Sequence, residues 1–105
     1  MRARYPLTLE MSYSILKGAQ KSDPRASQTI DLSSSSVRFT AAEPLVLGTR
    51  VEIAINWPTL LNGRIALQLI ASGSVVRSSG KDTAVHIERH AFKTRRSGGD
   101  LGPIR

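Results

Sequence analysis

The chain has 105 residues, no cysteine and a formal net charge of +7. That length holds one modest hydrophobic core and not two, and an apolar content of 40% excludes wholesale disorder. The absence of thiols excludes disulfides, a thiolate zinc site and a cysteine nucleophile. No apolar run approaches the roughly 20 residues of a membrane-crossing helix, and residues 1–6 carry no signal-peptide-like apolar stretch. The expectation is a soluble, cytoplasmic protein. Of the 15 basic residues, Arg2, Arg4, Lys17, Lys21 and Arg25 lie on the N-terminal side. Arg89, Lys93, Arg95, Arg96 and Arg105 lie on the C-terminal side. Such a surface attracts nucleotides, nucleic acid or anionic lipid; a solvated surface with a basic tail accounts for the same charge.

Periodicity two dominates the chain. Leu7, Leu9, Met11, Tyr13 and Ile15 alternate with Thr8, Glu10, Ser12 and Ser14, which predicts a half-buried strand. The polar stretch 17–24 reads as a loop. Residues 28–32 form a short second strand that the serines at 33–36 break. Val37, Phe39 and Ala41 alternate with Arg38 and Thr40 as a third. Pro44 and Gly48 bracket a turn. Val51, Ile53, Ile55 and Trp57 mark a fourth strand, which Pro58 is expected to end because proline cannot donate to a ladder. The best helical candidate is one turn over 58–62. Residues 65–76 are one bent strand or two, with Gly73 as the bend or bulge point. A turn at 78–82 leads to a closing strand, residues 83–92. There Val85 and Ile87 share a face and Phe92 falls out of phase, which predicts a bulge or strand end near His90. Residues 94–105 read as a loose basic tail after one domain over 1–93. The expected fold is all-β with little or no helix, a small antiparallel barrel or sandwich.

Catalytic chemistry finds little footing, and the chain is expected not to be an enzyme. His86 and His90 would share one face of a strand at about 13 Å, too far apart for one metal, with Glu88 between them on the same face. The serines lack a base partner and a nucleophile elbow. No phosphate-cradling glycine loop precedes a helix. No resident cofactor or metal is expected.

The segment Ile30-Asp31-Leu32-Ser33-Ser34-Ser35-Ser36-Val37 places an acid and several hydroxyls at a strand break. Locally this makes a good Asx or Ser turn. The same groups can serve a ligand, since a carboxylate accepts from a base edge and hydroxyls suit phosphates. The Asp31-x-Ser33-x-x-Ser36 spacing resembles the second ligand motif of PilZ domains, the bacterial receptors for cyclic di-GMP. Arg4-Tyr5-Pro6-Leu7 resembles the end of that family's Arg-x-x-x-Arg motif running into its first strand. Residues 44–51, Val75-Val76-Arg77 and residues 84–92 are also similar to the family's pattern, so that the resemblance covers residues 2 to 93. Two positions depart from it. Ser36 stands where the motif has glycine, at a cost of roughly 1–2 kcal/mol if the backbone there is left-handed. The first arginine would fall one position before Met1, leaving Arg2 as the substitute.

The resemblance implies a six-stranded PilZ-like barrel that binds cyclic di-GMP. Arg4, with Arg2, would hold phosphate or stack on guanine, and Asp31 and Ser33 would read the base edge, with Ser36 at the glycine position. The alternative it implies is a degenerate PilZ adaptor that binds a downstream protein partner and no nucleotide. Nonspecific nucleic-acid binding is disfavoured, because Tyr5, Tyr13, Phe39, Trp57 and Phe92 fall mostly in core-facing phase and leave few stacking platforms.

Overall fold

The computed structural model describes residues 7–95, among which there are seven strands and no helix. They are β1 (Glu10–Lys17), β2 (Gln20–Lys21), β3 (Arg25–Leu32), β4 (Ser36–Thr40), β5 (Arg50–Leu61), β6 (Ile65–Ser79) and β7 (Asp82–Thr94). The sheet runs β2-β1-β3-β4-β7-β6-β5, and β5 pairs with β1, so six strands close into an antiparallel barrel. The two-residue β2 is an extra strand folded back on β1. It occupies part of the segment expected to be only a loop.

The period-two positions build the core. Tyr13, Val37, Phe39, Val51, Ile53, Ile55, Val75 and Val85 are completely buried, and the Tyr13 and Phe39 rings lie 5.0 Å apart. The Tyr13 hydroxyl accepts the Ala42 N–H at 2.7 Å, so the one polar atom on this large core side chain is satisfied. Buried Thr29 ties the chain entry to β3. Its hydroxyl accepts from the Leu9 N–H at 2.8 Å and donates to the Leu7 carbonyl.

Irregularities in β5, β6 and β7 shape the barrel. Pro58 does not end its strand: β5 continues to Leu61. Its register with β6 shifts between Trp57 and Leu61, so the proline sits in the irregular stretch where no regular ladder bond is asked of it. The one-turn helix expected over 58–62 is absent; Asn62 (φ 54°) and Gly63 (φ 71°) instead form the turn into β6. β6 is one continuous strand. Gly73 lies at a register shift with β7, where Ser72 pairs with Arg89 but Gly73 pairs with Ile87. The extra residue is Glu88, two positions before the bulge expected near His90. Glycine is required at 73 for space: a Cβ there would stand 1.8 Å from the His86 carbonyl oxygen.

The Glu88 bulge changes which residues face inward. Val85 and Ile87 face the interior. Beyond the bulge, His90 pairs with buried Ala71 and Phe92 with buried Leu69, so both now share that inner face. His86 and His90 therefore lie on opposite faces, and the expected single-faced His-Glu-His row does not exist. Glu88 instead points outward, where its carboxylate pairs with Arg50. That guanidinium holds the Glu88 carboxyl below its usual range.

Candidate functional site

Strand lengths open one end of the barrel. β4 begins at Ser36, opposite His86. β7 runs on to Thr94 paired only with β6, and β5 runs on past Ile55, its last partner on β1 being Met11. At this end β5, β6 and β7 project past the rest of the sheet. Between their inner face and the β3–β4 turn lies a cavity of about 410 Å³. Buried Leu32, Val37 and Leu69 close it within the barrel, and half-exposed Trp57 and Phe92 stand at its opening with their rings edge to face at 5.2 Å. Leu7, Ser33, Ser34, Ile87 and His90 complete the lining. The surface is mostly apolar with a few hydroxyls and one imidazole, the usual composition of a small-molecule pocket.

The 33–36 turn is built by Ser33. Its hydroxyl accepts from the Ser35 and Ser36 amides at 3.3 and 3.2 Å and lies 3.0 Å from the Ser36 hydroxyl. The Ser33 N–H donates to the Ser36 carbonyl at 2.9 Å. This is the Ser turn that local chemistry predicts. Ser36 opens β4, and it is not among the residues with positive φ. The left-handed strain weighed for a non-glycine residue there does not arise.

Asp31 sits apart from Ser33. The β3–β4 register shifts between Thr29 and Asp31, setting Asp31 opposite Arg38 on the outer face. The two side chains form an ion pair. Arg38 also grips Asp82 on β7 with a two-point fork, Nε to Oδ1 at 3.0 Å and Nη2 to Oδ2 at 3.2 Å. These hydrogen bonds depress the Asp82 carboxyl pKa and raise that of the guanidinium. Asp31, Ser36, Arg38 and Arg77 line a separate outer depression. The structure thus brings Ser33 and Ser36 together at the turn and directs Asp31 to an arginine that the sequence had not marked. Arg2 and Arg4 lie outside the described residues. Among the described residues no cluster of three metal-ligating groups occurs, and no helix is long and apolar enough to cross a membrane.

Sequence reasoning had not marked Trp57, His90, Phe92 or Thr29 as site residues. The out-of-phase Phe92 was the one signal available for them: a large aromatic that breaks alternation marks a bulge, and the bulge builds the mouth.

Fold and site together define a small closed antiparallel β-barrel with an apolar mouth beside a serine turn. Comparison with protein-family models, curated proteins and solved structures found no match.

Proposed function

We propose that this domain is a cyclic di-GMP-binding regulatory domain of the PilZ type, with its ligand held at the barrel mouth. The observation that carries the reading is that Leu7 and the Ser33-Ser34 turn line the same cavity. Leu7 is fixed there through Thr29. Three residues of extended chain span at most about 10 Å, so Arg4 is within reach of that cavity, with Arg2 a little further. On this proposal both halves of the resembled motif serve one end of the barrel. In this reading the guanidinium groups bind phosphate through charge-assisted, two-point contacts or stack on guanine. The Trp57, Phe92 and Leu7 surfaces cover a base and Ser33 supplies the polar edge at the mouth, whereas Asp31, paired with Arg38 on the outer face, reaches a base only by leaving that pair.

Titration calorimetry with cyclic di-GMP tests this. The expected result is a saturable isotherm with Kd below about 100 µM. An Arg4→Ala variant should then lose about ten- to a hundredfold in affinity. No heat at that concentration refutes the reading for this chain. One observation favours a second reading, that of an adaptor which binds protein and no nucleotide. The Asp31 carboxylate is paired with Arg38, and the Ser33 and Ser36 hydroxyls face each other. A Ser36→Gly variant with an arginine restored upstream separates the two: gain of nucleotide binding favours the first, continued silence the second.

A further inference from the structure

Among the described residues, β7 presents an unfilled sheet edge beside the mouth. On this edge β4 ends at Ser36, and the Ile87 N–H makes the last bond across it, to the Ser35 carbonyl at 2.8 Å. Among the described residues no strand pairs with β7 beyond that point except β6. The Arg95 N–H bonds to the Ala66 carbonyl at 2.7 Å. Counting back by alternation, Lys93, Ala91 and Arg89 also direct their backbone groups to β6. The N–H and C=O groups of His90, Phe92 and Thr94 therefore point to the open edge. Their side chains lie on the inner face, beside the apolar cavity, as the pairing of Phe92 with Leu69 requires.

The outer face of the same segment is cationic. Arg89 is opposite Ser72 and Lys93 opposite Gln68 on β6. Among the described residues neither has a carboxylate within ion-pair distance. This pattern selects the occupant. A second copy added antiparallel with its twofold axis at Ala91, Phe92 or Lys93 sets cation against cation. Phe92 on Phe92 brings Arg89 against Arg95, and Ala91 on Ala91 brings Arg89 against Lys93. Like charges directly opposite each other destabilise a strand pair. Edge cations are a common guard against self-pairing, and here they leave one kind of strand complementary.

We propose that the open edge of β7 at residues 90–94 binds an extended segment of another protein whose residues alternate between acidic and apolar, adding it to the barrel as a strand. The acidic residues meet Arg89 and Lys93 on the outer face. The apolar residues stand opposite His90 and Phe92 and enter the mouth. Main-chain bonds to His90, Phe92 and Thr94 supply affinity, and the alternating faces supply selectivity. This inference does not rest on the nucleotide reading, since its probe carries no phosphate.

The probe is a fluorescein-labelled peptide of about seven residues that alternates Glu and Val, a typical strand length. Its anisotropy is measured with the full chain, and amide exchange is followed residue by residue by NMR. The expected result is saturable binding with Kd below about 1 mM. In the free protein the His90, Phe92 and Thr94 amides exchange fast while those of Ala91 and Lys93 are protected. Peptide should slow the first set. An R89E/K93E double variant, altered only on the exposed outer face, should bind at least about tenfold more weakly and prefer a Lys–Val peptide. No binding overturns the proposal. So does equal binding of a peptide with its Glu and Val residues in separate blocks, and so does binding that leaves the three amides unprotected.

Discussion

Replacement of Gly73 by alanine should be among the most damaging single-methyl additions to this protein. The new Cβ would lie 1.8 Å from the His86 carbonyl oxygen, 2.8 Å from its carbon and 3.1 Å from the Ile87 Cα, all of them backbone atoms. Side-chain carbons do not approach closer than about 3.0 Å. The β6 and β7 backbones must therefore part locally by more than 1 Å, a large fraction of the slack in a ladder whose strands lie about 4.8 Å apart. Two ladder hydrogen bonds at about 1 kcal/mol each are at risk. Overpacking of the adjoining Val75–Val85 layer adds about 1–3 kcal/mol. The expected loss is about 3–5 kcal/mol, against a total stability of about 5–15 kcal/mol for a domain of this size. Gly80→Ala is the control. Gly80 has φ +61°, and a methyl added to it would meet nothing within 4 Å, so alanine there costs only the left-handed conformation, about 1–2 kcal/mol. Urea unfolding of the two variants decides the matter. If Gly73→Ala is no less stable than Gly80→Ala, the close approach does not constrain the barrel.

Other outcomes follow from individual contacts. Tyr13→Phe removes the acceptor of the Ala42 N–H and should cost about 0.5–1.5 kcal/mol in denaturant unfolding. No loss of stability relative to the unsubstituted protein would refute the role of that bond. Thr29→Val keeps the shape but removes the hydroxyl that joins Leu7 and Leu9 to β3. It should cost about 1–3 kcal/mol and, if cyclic di-GMP is bound at the mouth, lower its affinity as well, read by calorimetry. The ion network gives a pH signature. Arg38 holds the folded Asp82 carboxyl below its ordinary 3.8, so its stabilising effect is complete above that value and is lost as pH falls through the depressed one. Melting temperature should drop below about pH 4, and Arg38→Met should flatten part of that drop. Parallel curves for the two proteins contradict the assignment.

Alternation was enough to read most of the barrel. Met11, Tyr13, Val37, Phe39, Val51, Ile53 and Ile55 carry the period directly, and each is buried as the pattern requires. What escaped was whatever depends on a distant partner. Pro58 looked like a terminator because its own sequence cannot say that β6 slips out of register opposite it. The histidine pair looked single-faced because the bulge at Glu88 lies opposite Gly73, 15 positions earlier in the chain, where the lack of a Cβ leaves room for the His86 backbone. Asp31 read as a ligand group because its partner Arg38 is itself oriented by Asp82, 44 residues further on. Of the expected site, the serine turn was legible because its hydrogen bonds are local. The apolar mouth was not, because Leu7, Trp57 and Phe92 meet only once the sheet has closed.

The shortness of β4 has a consequence for how this protein can change. The mouth exists because one strand has five residues while its neighbour has thirteen, and no particular side chain is needed to hold it open. The fully buried residues lie in the closed part of the barrel, whereas Leu7, Trp57, His90 and Phe92 at the mouth are all partly or largely exposed. Mutations at Leu7, His90 and Phe92 remove less buried contact than mutations in the core, although Trp57 also packs against that core, so selection can alter what is recognised at limited cost to the scaffold. A combinatorial library confined to Leu7, His90 and Phe92 should yield mostly folded members with diverse specificities, whichever molecule the natural sequence recognises.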